Sequence, residues 1–373
     1  MKTVWILGAG ASKSASGGAY PTLAELPRTA KSLGVVVAPP AGSGGNFDAL
    51  DTFLRRIYGY GLSAEKPIDL EVVLTLLDIE STLENTGLLQ SARSQLIRLI
   101  QRTFGRLQKQ ADASASEYEQ VLTHVEKSDT IITFNWDVLL DDALGRMALL
   151  KDLAAKTPKA HYAAFLRDFT ARGDSSVDKL SMPQPFSRWR ASQGYYLKLH
   201  GSIDWAICTA PECRNRGRVF PLARSSTRPS CGYCLDRLQW MIVPPTLNKR
   251  VLDLGFVRRL WNVAAREIAR AERLVIWGYS LPPTDFYSAW LFSKARRARL
   301  QEVVIINPAV VTGVRKVGFS RMFVSRFVEA TKLDLAATKL SAYVSFADWA
   351  AGTPIEKRHP AVKKSFARLR EGA

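Results

Sequence analysis

The chain has 373 residues, 47% of them hydrophobic and 23% charged, which is the composition of a globular protein with enough apolar material for a substantial core. No stretch approaches the roughly 18 consecutive apolar residues of a membrane-spanning helix, so we predict no membrane partner. The net charge of +18 favours a polyanionic partner such as nucleic acid, but the basic residues are dispersed, form no recognised nucleic-acid motif, and are equally typical of a basic, solvated surface.

The first apolar run, Val4 to Leu7, has two interpretations: the start of a signal peptide, or a short buried strand. The run is about half as long as the apolar region of a signal peptide, and Gly8 and Gly10 interrupt it at once. We therefore favour the strand. The protein is then expected to be cytoplasmic, with reduced cysteines.

Five short apolar runs, rich in β-branched residues and soon followed by Gly, Asn or His, are typical of buried parallel strands: Thr3 to Leu7, Thr130 to Thr133, Tyr195 to Leu199, Leu274 to Trp277 and Val303 to Ile306. Apolar residues spaced near 3.6 predict helices between and before them: Phe47 to Tyr58, Leu70 to Leu77, Leu89 to Leu107, Tyr118 to Val125, Asp137 to Leu150, Val251 to Ala271 and Asp285 to Arg299. This alternation predicts a doubly wound, mostly parallel, Rossmann-like α/β sheet.

The predicted organisation is one domain over residues 1–350, followed by a basic C-terminal tail over 351–373. Within the domain we expect a mainly helical insertion at 23–128 and a zinc-binding module at 205–247. Residues 38–46 and 171–192 are rich in Gly, Pro and polar residues and are predicted to be loops.

A glycine-rich turn follows the first strand, with the sequence Gly8-Ala9-Gly10-Ala11-Ser12. Glycines let the backbone approach a pyrophosphate closely, exposed N–H groups at a helix start favour its charge, and Ser12 adds a hydroxyl. The third glycine of the dehydrogenase fingerprint is replaced here by Lys13. The residues alone leave dinucleotide binding and a purely structural turn equally open.

Polar residues follow the second and third strands. Asn135 and Asp137 come after Thr133, and their side chains can point into one cleft; alternatively, Asp137 caps the next helix. Among four histidines, His200 alone follows a predicted buried strand and precedes a glycine. A histidine there can act as a base near neutral pH, or it can simply bond to the backbone.

The four cysteines all fall within a short segment, as Cys208-x4-Cys213-x17-Cys231-x2-Cys234. Two close pairs separated by a loop are typical of a tetrahedral zinc site with four thiolate ligands. The segment between the pairs is basic and has no hydrophobic core, so a metal would have to hold it together. Such a site is closed and structural and identifies no reaction.

The order of these motifs resembles the sirtuin superfamily. Its members carry Gly-Ala-Gly-Ile-Ser, Thr-Gln-Asn-Ile-Asp, His-Gly, a four-cysteine zinc module, Gly-Thr-Ser and a strand-end Asn in that order. This chain has the first two as Gly-Ala-Gly-Ala-Ser and Thr-Phe-Asn-Trp-Asp, and it ends with Gly278-Tyr279-Ser280-Leu281 and Ile306-Asn307-Pro308. The resemblance extends from about residue 3 to residue 310 and implies an enzyme that consumes NAD and holds a structural zinc ion.

The resemblance also implies residue roles. Asn135 would contact the nicotinamide ribose and order a water, Asp137 would meet the carboxamide, and His200 would be the base acting on the ribose hydroxyls. The remaining cofactor-binding residues would hold the diphosphate, the phosphate and ribose side, and the adenine-side ribose: Gly8, Ala9, Gly10, Ser12, Thr133, Gly278, Ser280 and Asn307.

Three departures from sirtuin deacylases affect the expected activity. The stretch Gly18 to Leu23 lacks the acid–Phe–Arg group of those enzymes, and Phe134 replaces their Gln. The segment Ile242 to Lys249 contains two prolines where deacylases pair a strand with the acyl-lysine peptide, and prolines cannot donate ladder hydrogen bonds. The pattern is more similar to bacterial sirtuin-like proteins of anti-phage defence, whose domain often hydrolyses NAD.

Three hypotheses follow from these observations. The leading one is hydrolysis of NAD to nicotinamide and ADP-ribose, the second is NAD-dependent protein deacylation, and the third is a non-catalytic sensor of NAD or ADP-ribose, with or without nucleic acid. The sequence leaves open the trigger of activity, the need for an activating protein or nucleic acid, and the oligomeric state.

Overall fold

The structure is a computed structural model that describes residues 1–36, 47–84, 86–110, 116–126, 128–149, 194–221, 230–243, 255–282, 285–312, 319–335 and 337–358. The predicted loops at 38–46 and 171–192 lie outside these residues. So do most of the proline-containing segment, from 244 to 250, and the tail beyond 358.

Nine strands occur in the described residues: β1 (Thr3–Leu7), β2 (Thr130–Thr133), β3 (Tyr196–Lys198), β4 (Gly201–Ile207), β5 (Val219–Pro221), β6 (Gln239–Ile242), β7 (Arg273–Trp277), β8 (Glu302–Ile306) and β9 (Lys339–Tyr343). Six of them form one sheet in the order β3-β2-β1-β7-β8-β9, with every neighbouring pair parallel. Counted along the sheet, this is the 3-2-1-4-5-6 order of a doubly wound Rossmann fold, so the predicted fold class is confirmed.

The register of the sheet brings the strand ends to one level. Leu7 at the end of β1 pairs with Thr133 of β2 and with Trp277 of β7. Thr133 pairs with Lys198 of β3, and Trp277 pairs with Ile306 of β8. The residues that follow these five strands therefore emerge together at the carboxyl edge, where the strand order reverses between β1 and β7 and where ligands bind in such folds.

The helices of the described residues are α1 (Ala9–Ala15), α2 (Leu26–Ser32), α3 (Asp48–Tyr58), α4 (Leu70–Leu83), α5 (Gly87–Gln110), α6 (Ser116–Thr123), α7 (Leu139–Leu149), α8 (Gly255–Ile268), α9 (Phe286–Phe292), α10 (Ala309–Thr312), α11 (Phe319–Thr331), α12 (Phe346–Ala350) and α13 (Ile355–Arg358). Each predicted helix corresponds to one of them. The predicted helix from Asp285 to Arg299 is α-helical only to Phe292 and continues as a 3₁₀ turn over Ser293–Arg297. None of these helices is long and apolar enough to cross a membrane.

Helices α2 to α5, inserted between β1 and β2, pack around a hydrophobic core of their own, which includes the fully buried Phe53 and Leu99. The core continues into the sheet domain through Trp136, Val138 and Ile203, which belong to the same cluster. The helical layer is therefore fixed next to the carboxyl edge of the sheet, and it closes one side of the cavity described below.

Two β features go beyond the sequence prediction. Strand β9 has the sequence Lys-Leu-Ser-Ala-Tyr, without β-branched residues, and it becomes a strand because it completes the sheet edge beside β8. Strands β4, β5 and β6 form a separate antiparallel sheet in the order β5-β4-β6. This small sheet begins one residue after His200 and supports the cysteine segment.

Candidate functional site

A cavity of about 710 Å³ opens at the carboxyl edge of the parallel sheet, between the strand ends and the helical layer. The helical layer contributes Leu26, Glu71 and Phe104 to its wall. From the sheet side, seven of the predicted site residues line it: Ala9, Gly10, Asn135, His200, Gly278, Ser280 and Asn307. The structure thus brings together residues from the ends of β1, β2, β3, β7 and β8.

The glycine turns after β1 and β7 pack directly against each other. The Gly8 N–H donates to Trp277 O at 3.0 Å, and the Gly10 N–H donates to Gly278 O at 2.9 Å. Gly278 has φ of 64°, and a Cβ there would lie 2.0 Å from the Ala11 nitrogen. A side chain is therefore excluded at 278, because only a glycine lets the two turns come this close.

The Asn135 amide is held in one orientation. Its Nδ2 group donates to Gly8 O at 2.9 Å and to Ser12 Oγ at 2.9 Å, while its backbone N–H donates to Thr133 Oγ1 at 3.1 Å. Since a carbonyl oxygen can only accept, the contact with Gly8 O places the amide nitrogen there. The amide oxygen Oδ1 is the acceptor that remains for a ligand hydroxyl or a water in the cavity.

Four predicted site residues, Gly8, Ser12, Thr133 and Asp137, are not among those that line the cavity. The buried Ser12 hydroxyl donates to Asp137 Oδ2 at 2.7 Å and accepts from Tyr118 at 2.8 Å. Asp137 Oδ1 accepts from the N–H of Leu139, the first residue of α7, at 3.0 Å, so its carboxylate contacts the start of that helix. Burial raises the pKa of Asp137, although nearby Lys198 and Ser12 oppose the shift.

Lys198 lies beneath this network with its side chain fully buried. Its ammonium group donates to the Asp137 carbonyl oxygen at 2.6 Å and to Asp141 Oδ2 at 2.7 Å. The buried cation is therefore paired and hydrogen-bonded, as burial of a charge requires. It ties the segment after β2 to the end of β3, and hence the Asn135 turn to the strand that leads to His200.

His200 faces the cavity from the turn after β3 and has a buried carboxylate beside it. Its Nε2 lies 3.4 Å from Oδ2 of Asp285, whose side chain is fully buried. Asp285 also accepts from Tyr279 Oη at 3.2 Å and from the Ser288 N–H at 3.1 Å, so it caps α9 as well. Asp285 is not among the predicted site residues; its one signal in the sequence is that it stands at the start of a predicted helix.

Phe134, which follows β2, forms an aromatic contact with the histidine. Its ring stacks on Tyr279 at 4.3 Å between centroids and meets the His200 ring edge-on at 4.9 Å. Tyr279 is itself held by Asp285, and burial followed by the charge of Asp285 raises its pKa well above the usual value. His200 is thus fixed between an aromatic face and a carboxylate.

The four cysteines meet as predicted, with their sulfur atoms all within 4.8 Å of one another. The Sγ atoms of Cys208 and Cys234 are 3.8 Å apart, as are those of Cys213 and Cys231. Zinc–sulfur bonds of about 2.3 Å in a tetrahedron place sulfurs about 3.8 Å apart, whereas a disulfide needs about 2.05 Å. The donor set and its geometry therefore fit a structural zinc ion.

Amide groups around the sulfurs favour the thiolate form that a metal requires. The Asn215 N–H donates to Cys213 Sγ at 3.3 Å, and its side-chain Nδ2 donates to Cys231 Sγ at 3.5 Å. Burial opposes ionisation of Cys231, but hydrogen bonds from the Cys234 N–H and from Asn215 lower its pKa to about 6. The cluster packs with few other apolar residues, so a bound metal would supply most of what holds it together.

Comparison with known proteins gives structural likenesses alone. No protein-family model and no curated protein matches the chain. Among solved structures, a Sir2 homologue in complex with ADP-ribose is 14% identical over 89% of this chain and 92% of its own, with a TM-score of 0.38. A Sir2 homologue in complex with NAD is 15% identical over 89% of this chain and 90% of its own, with a TM-score of 0.32.

Proposed function

We propose that this chain cleaves the bond between nicotinamide and ribose in NAD, and that water is the acceptor. One observation supports this above the others: Asn135 and His200, from the ends of two different strands, face the same cavity beside the glycine turns of a doubly wound sheet. That edge of the fold suits a dinucleotide, and the pair supplies an oriented amide oxygen and a base.

In the proposed reaction, the bond from ribose C1′ to the nicotinamide nitrogen breaks, and its electron pair leaves with nicotinamide. C1′ passes through an oxocarbenium-like state and forms a new bond to the oxygen of water. The water loses one proton, so the products are nicotinamide, ADP-ribose and H⁺. The site must stabilise positive charge on the ribose and hold one water in line, and it gains rate only from contacts that strengthen in that state.

Asn135 and His200 divide these tasks. The Asn135 amide nitrogen is used by Gly8 O and Ser12, so its oxygen would accept from the attacking water or from a ribose hydroxyl. His200 would take the proton from the water or from the ribose hydroxyl next to it, and Asp285 would stabilise the resulting positive charge on the imidazole. Phe134 stands where sirtuin deacylases have a Gln, so this position offers no second amide that could bind the ribose in place of Asn135.

The buried residues behind Asn135 are assigned to positioning. Asp137 contacts Ser12 and the start of α7, so we propose that it orients Asn135 through Ser12. The carboxamide contact that the motif resemblance implies for Asp137 is a separate prediction. The cofactor contacts proposed on the cavity surface are the backbone of Ala9, Gly10 and Gly278 for the phosphates, with Ser280 and Asn307 on the ribose side.

The test is nicotinamide release from NAD by the purified protein, with and without an acetyl-lysine peptide. We expect release without peptide, and a loss of about 100-fold or more in His200→Ala and in Asn135→Ala. His124→Ala is the matched control, since His124 lies outside the cavity against Trp349. Release that depends strictly on the peptide would establish deacylation instead, and full activity in both variants would remove this mechanism.

The proposed setting is bacterial anti-phage defence, which rests on the motif resemblance alone. Cells that carry the wild-type chain should give fewer phage plaques than cells carrying His200→Ala at equal protein levels. Equal plaque counts across a panel of phages would argue against this setting without affecting the proposed reaction.

A further inference from the structure

A second cavity, of about 370 Å³, is lined in part by Trp261, whose ring lies 6.2 Å from the His200 ring. Helices α8 and α9 form it from aromatic, amide and cationic side chains: Arg258, Trp261, Asn262, Phe286, Tyr287 and Trp290. Neither the proposed NAD site nor the zinc cluster uses any of them. No acidic side chain is among the described residues that line it.

We propose that this pocket binds a base of single-stranded nucleic acid. Two of its aromatic side chains are unusually open for their size: Phe286 is 62% exposed and Trp290 is 42% exposed. Leaving large apolar rings in water is unfavourable, so their placement in one concave site indicates a ligand that covers them. Aromatic platforms of this kind stack nucleic-acid bases with little regard to sequence.

The charges around the pocket match a phosphate backbone. Lys294 places its ammonium group 4.3 Å from the centre of the Trp290 ring. The exposed Arg258 lies on the pocket wall, and exposed Arg296 and Arg297 follow on the 3₁₀ turn after α9. The segment from Phe286 to Arg299 contains no acidic residue. A single strand with its base against Trp290 would thus have cations beside its backbone, in a protein of net charge +18.

The pocket is connected to His200 by direct contacts. Helix α9 carries Phe286, Tyr287 and Trp290, and Asp285, which caps that helix, lies 3.4 Å from His200 Nε2. On the α8 side, Trp261 donates to the Leu199 carbonyl oxygen at 3.2 Å, and its ring is 6.2 Å from the His200 ring. A base held between α8 and α9 would therefore contact Trp261 and the helix that Asp285 caps, and both of these residues lie next to His200.

The test is the affinity of the whole protein for a fluorescent oligothymidine of about 15 nucleotides, measured by anisotropy at two salt concentrations. Trp290→Ala and Arg258→Ala should each weaken binding, the first about tenfold or more. Tyr60→Ala is the matched aromatic control, because Lys66 lies over the Tyr60 ring in the helical layer. Arg55→Ala, at an exposed arginine of the same layer, is the matched charge control.

Weaker binding in the two pocket variants, with both controls unchanged, would support the site. Equal losses in pocket and control variants would mean non-specific attraction to a basic surface and would overturn it, as would failure of the wild type to bind at physiological salt. Because anisotropy needs no turnover, it tests the pocket even if NAD cleavage fails.

The connection to His200 is tested separately and rests on the proposed function. The oligonucleotide should change the rate of nicotinamide release in the wild type and have less effect in Trp290→Ala. A rate that stays constant while anisotropy shows the oligonucleotide bound would overturn the connection and keep the binding site.

Discussion

The zinc cluster and the carboxyl edge of the parallel sheet are both sites built from several side chains, but they are assembled over different distances along the chain. All four sulfurs come from one segment, and the outermost cysteines are 26 residues apart. At the sheet edge, Asn135 bonds to Gly8 across 127 residues, and Ser12 bonds to Asp137 across 125. A local site is specified by spacing, whereas a distributed one depends on strand order and register.

The two regions share a boundary at His200. The N–H of Val243, the residue after β6, donates to His200 O at 2.8 Å, and β4 begins at Gly201, the residue after His200. Gly201 has φ of 76°, and a Cβ there would lie 2.0 Å from Met241 O of β6, so the turn after the histidine fits closely against the small sheet. The small sheet that carries the cysteine segment therefore packs directly against the backbone at His200.

Removing the zinc should have the largest effect, because the binding energy of a structural zinc site is about 10 kcal/mol or more at neutral pH. We expect a chelator, or Cys213→Ser, to make residues 205–243 sensitive to protease, to release about one zinc per chain, and to lower nicotinamide release through His200. Circular dichroism should retain most of the helical signal. Ser230→Ala is the control, since Ser230 is in the same segment and contributes no sulfur. An unchanged protease pattern after zinc loss would contradict the prediction that the metal holds this segment together.

Gly278→Ala should disrupt the packing between the glycine turns after β1 and β7, and it should leave the four-cysteine cluster intact. The new methyl group would strain a left-handed backbone and would clash with the nitrogen of Ala11. We therefore expect the free energy of unfolding to fall by about 3 kcal/mol or more. Gly59→Ala separates these causes, because Gly59 has φ of 74° and nothing within 4 Å of its Cβ position. That control should lose only about 1 kcal/mol. Chemical denaturation measures both, and equal losses would contradict the proposed contact.

Asp285→Asn tests the role of the carboxylate beside His200, because it keeps the size of the side chain and removes its charge. We expect kcat for nicotinamide release to fall about 10- to 100-fold with KM nearly unchanged, and the pH–rate profile to shift. Asp48→Asn, at an exposed position in the first turn of α3, is the control. A large rise in KM with constant kcat would indicate that Asp285 shapes the binding site instead.

Asp204→Asn should have the smallest effect. Burial raises the pKa of Asp204, and its Oδ1 atom has no hydrogen-bond partner among the described residues. An acid whose folded-state pKa is raised stabilises the fold when protonated, and this contribution is lost as pH rises through that pKa. The asparagine variant should therefore be more stable than the wild type at pH 8, by about 1 kcal/mol, and equal to it below about pH 4. A thermal-unfolding series over pH that shows a constant difference would contradict this account.

Five of the six strands of the parallel sheet could be predicted from the sequence, as could seven of the residues that line the cavity. The buried runs of Thr3–Leu7 and Thr130–Thr133 are apolar throughout because helices cover both faces of a parallel sheet, so periodicity and length identify them. The cysteine cluster follows from local spacing. The order of the glycine turn, Asn135 and His200 was enough to place them in one candidate site.

The positions of those residues relative to one another follow from the folded chain. Register placed Asn135 on the cavity wall and Asp137 behind it, although they are two positions apart and equally polar. Strand β9 formed at an open sheet edge despite a composition poor in β-branched residues. Asp285 became the partner of His200 because β7 and β3, separated by two strands in the sheet, both end at the same edge. Pairing between segments distant in the chain leaves no periodic signal within any one of them, and for that reason only the folded chain shows it.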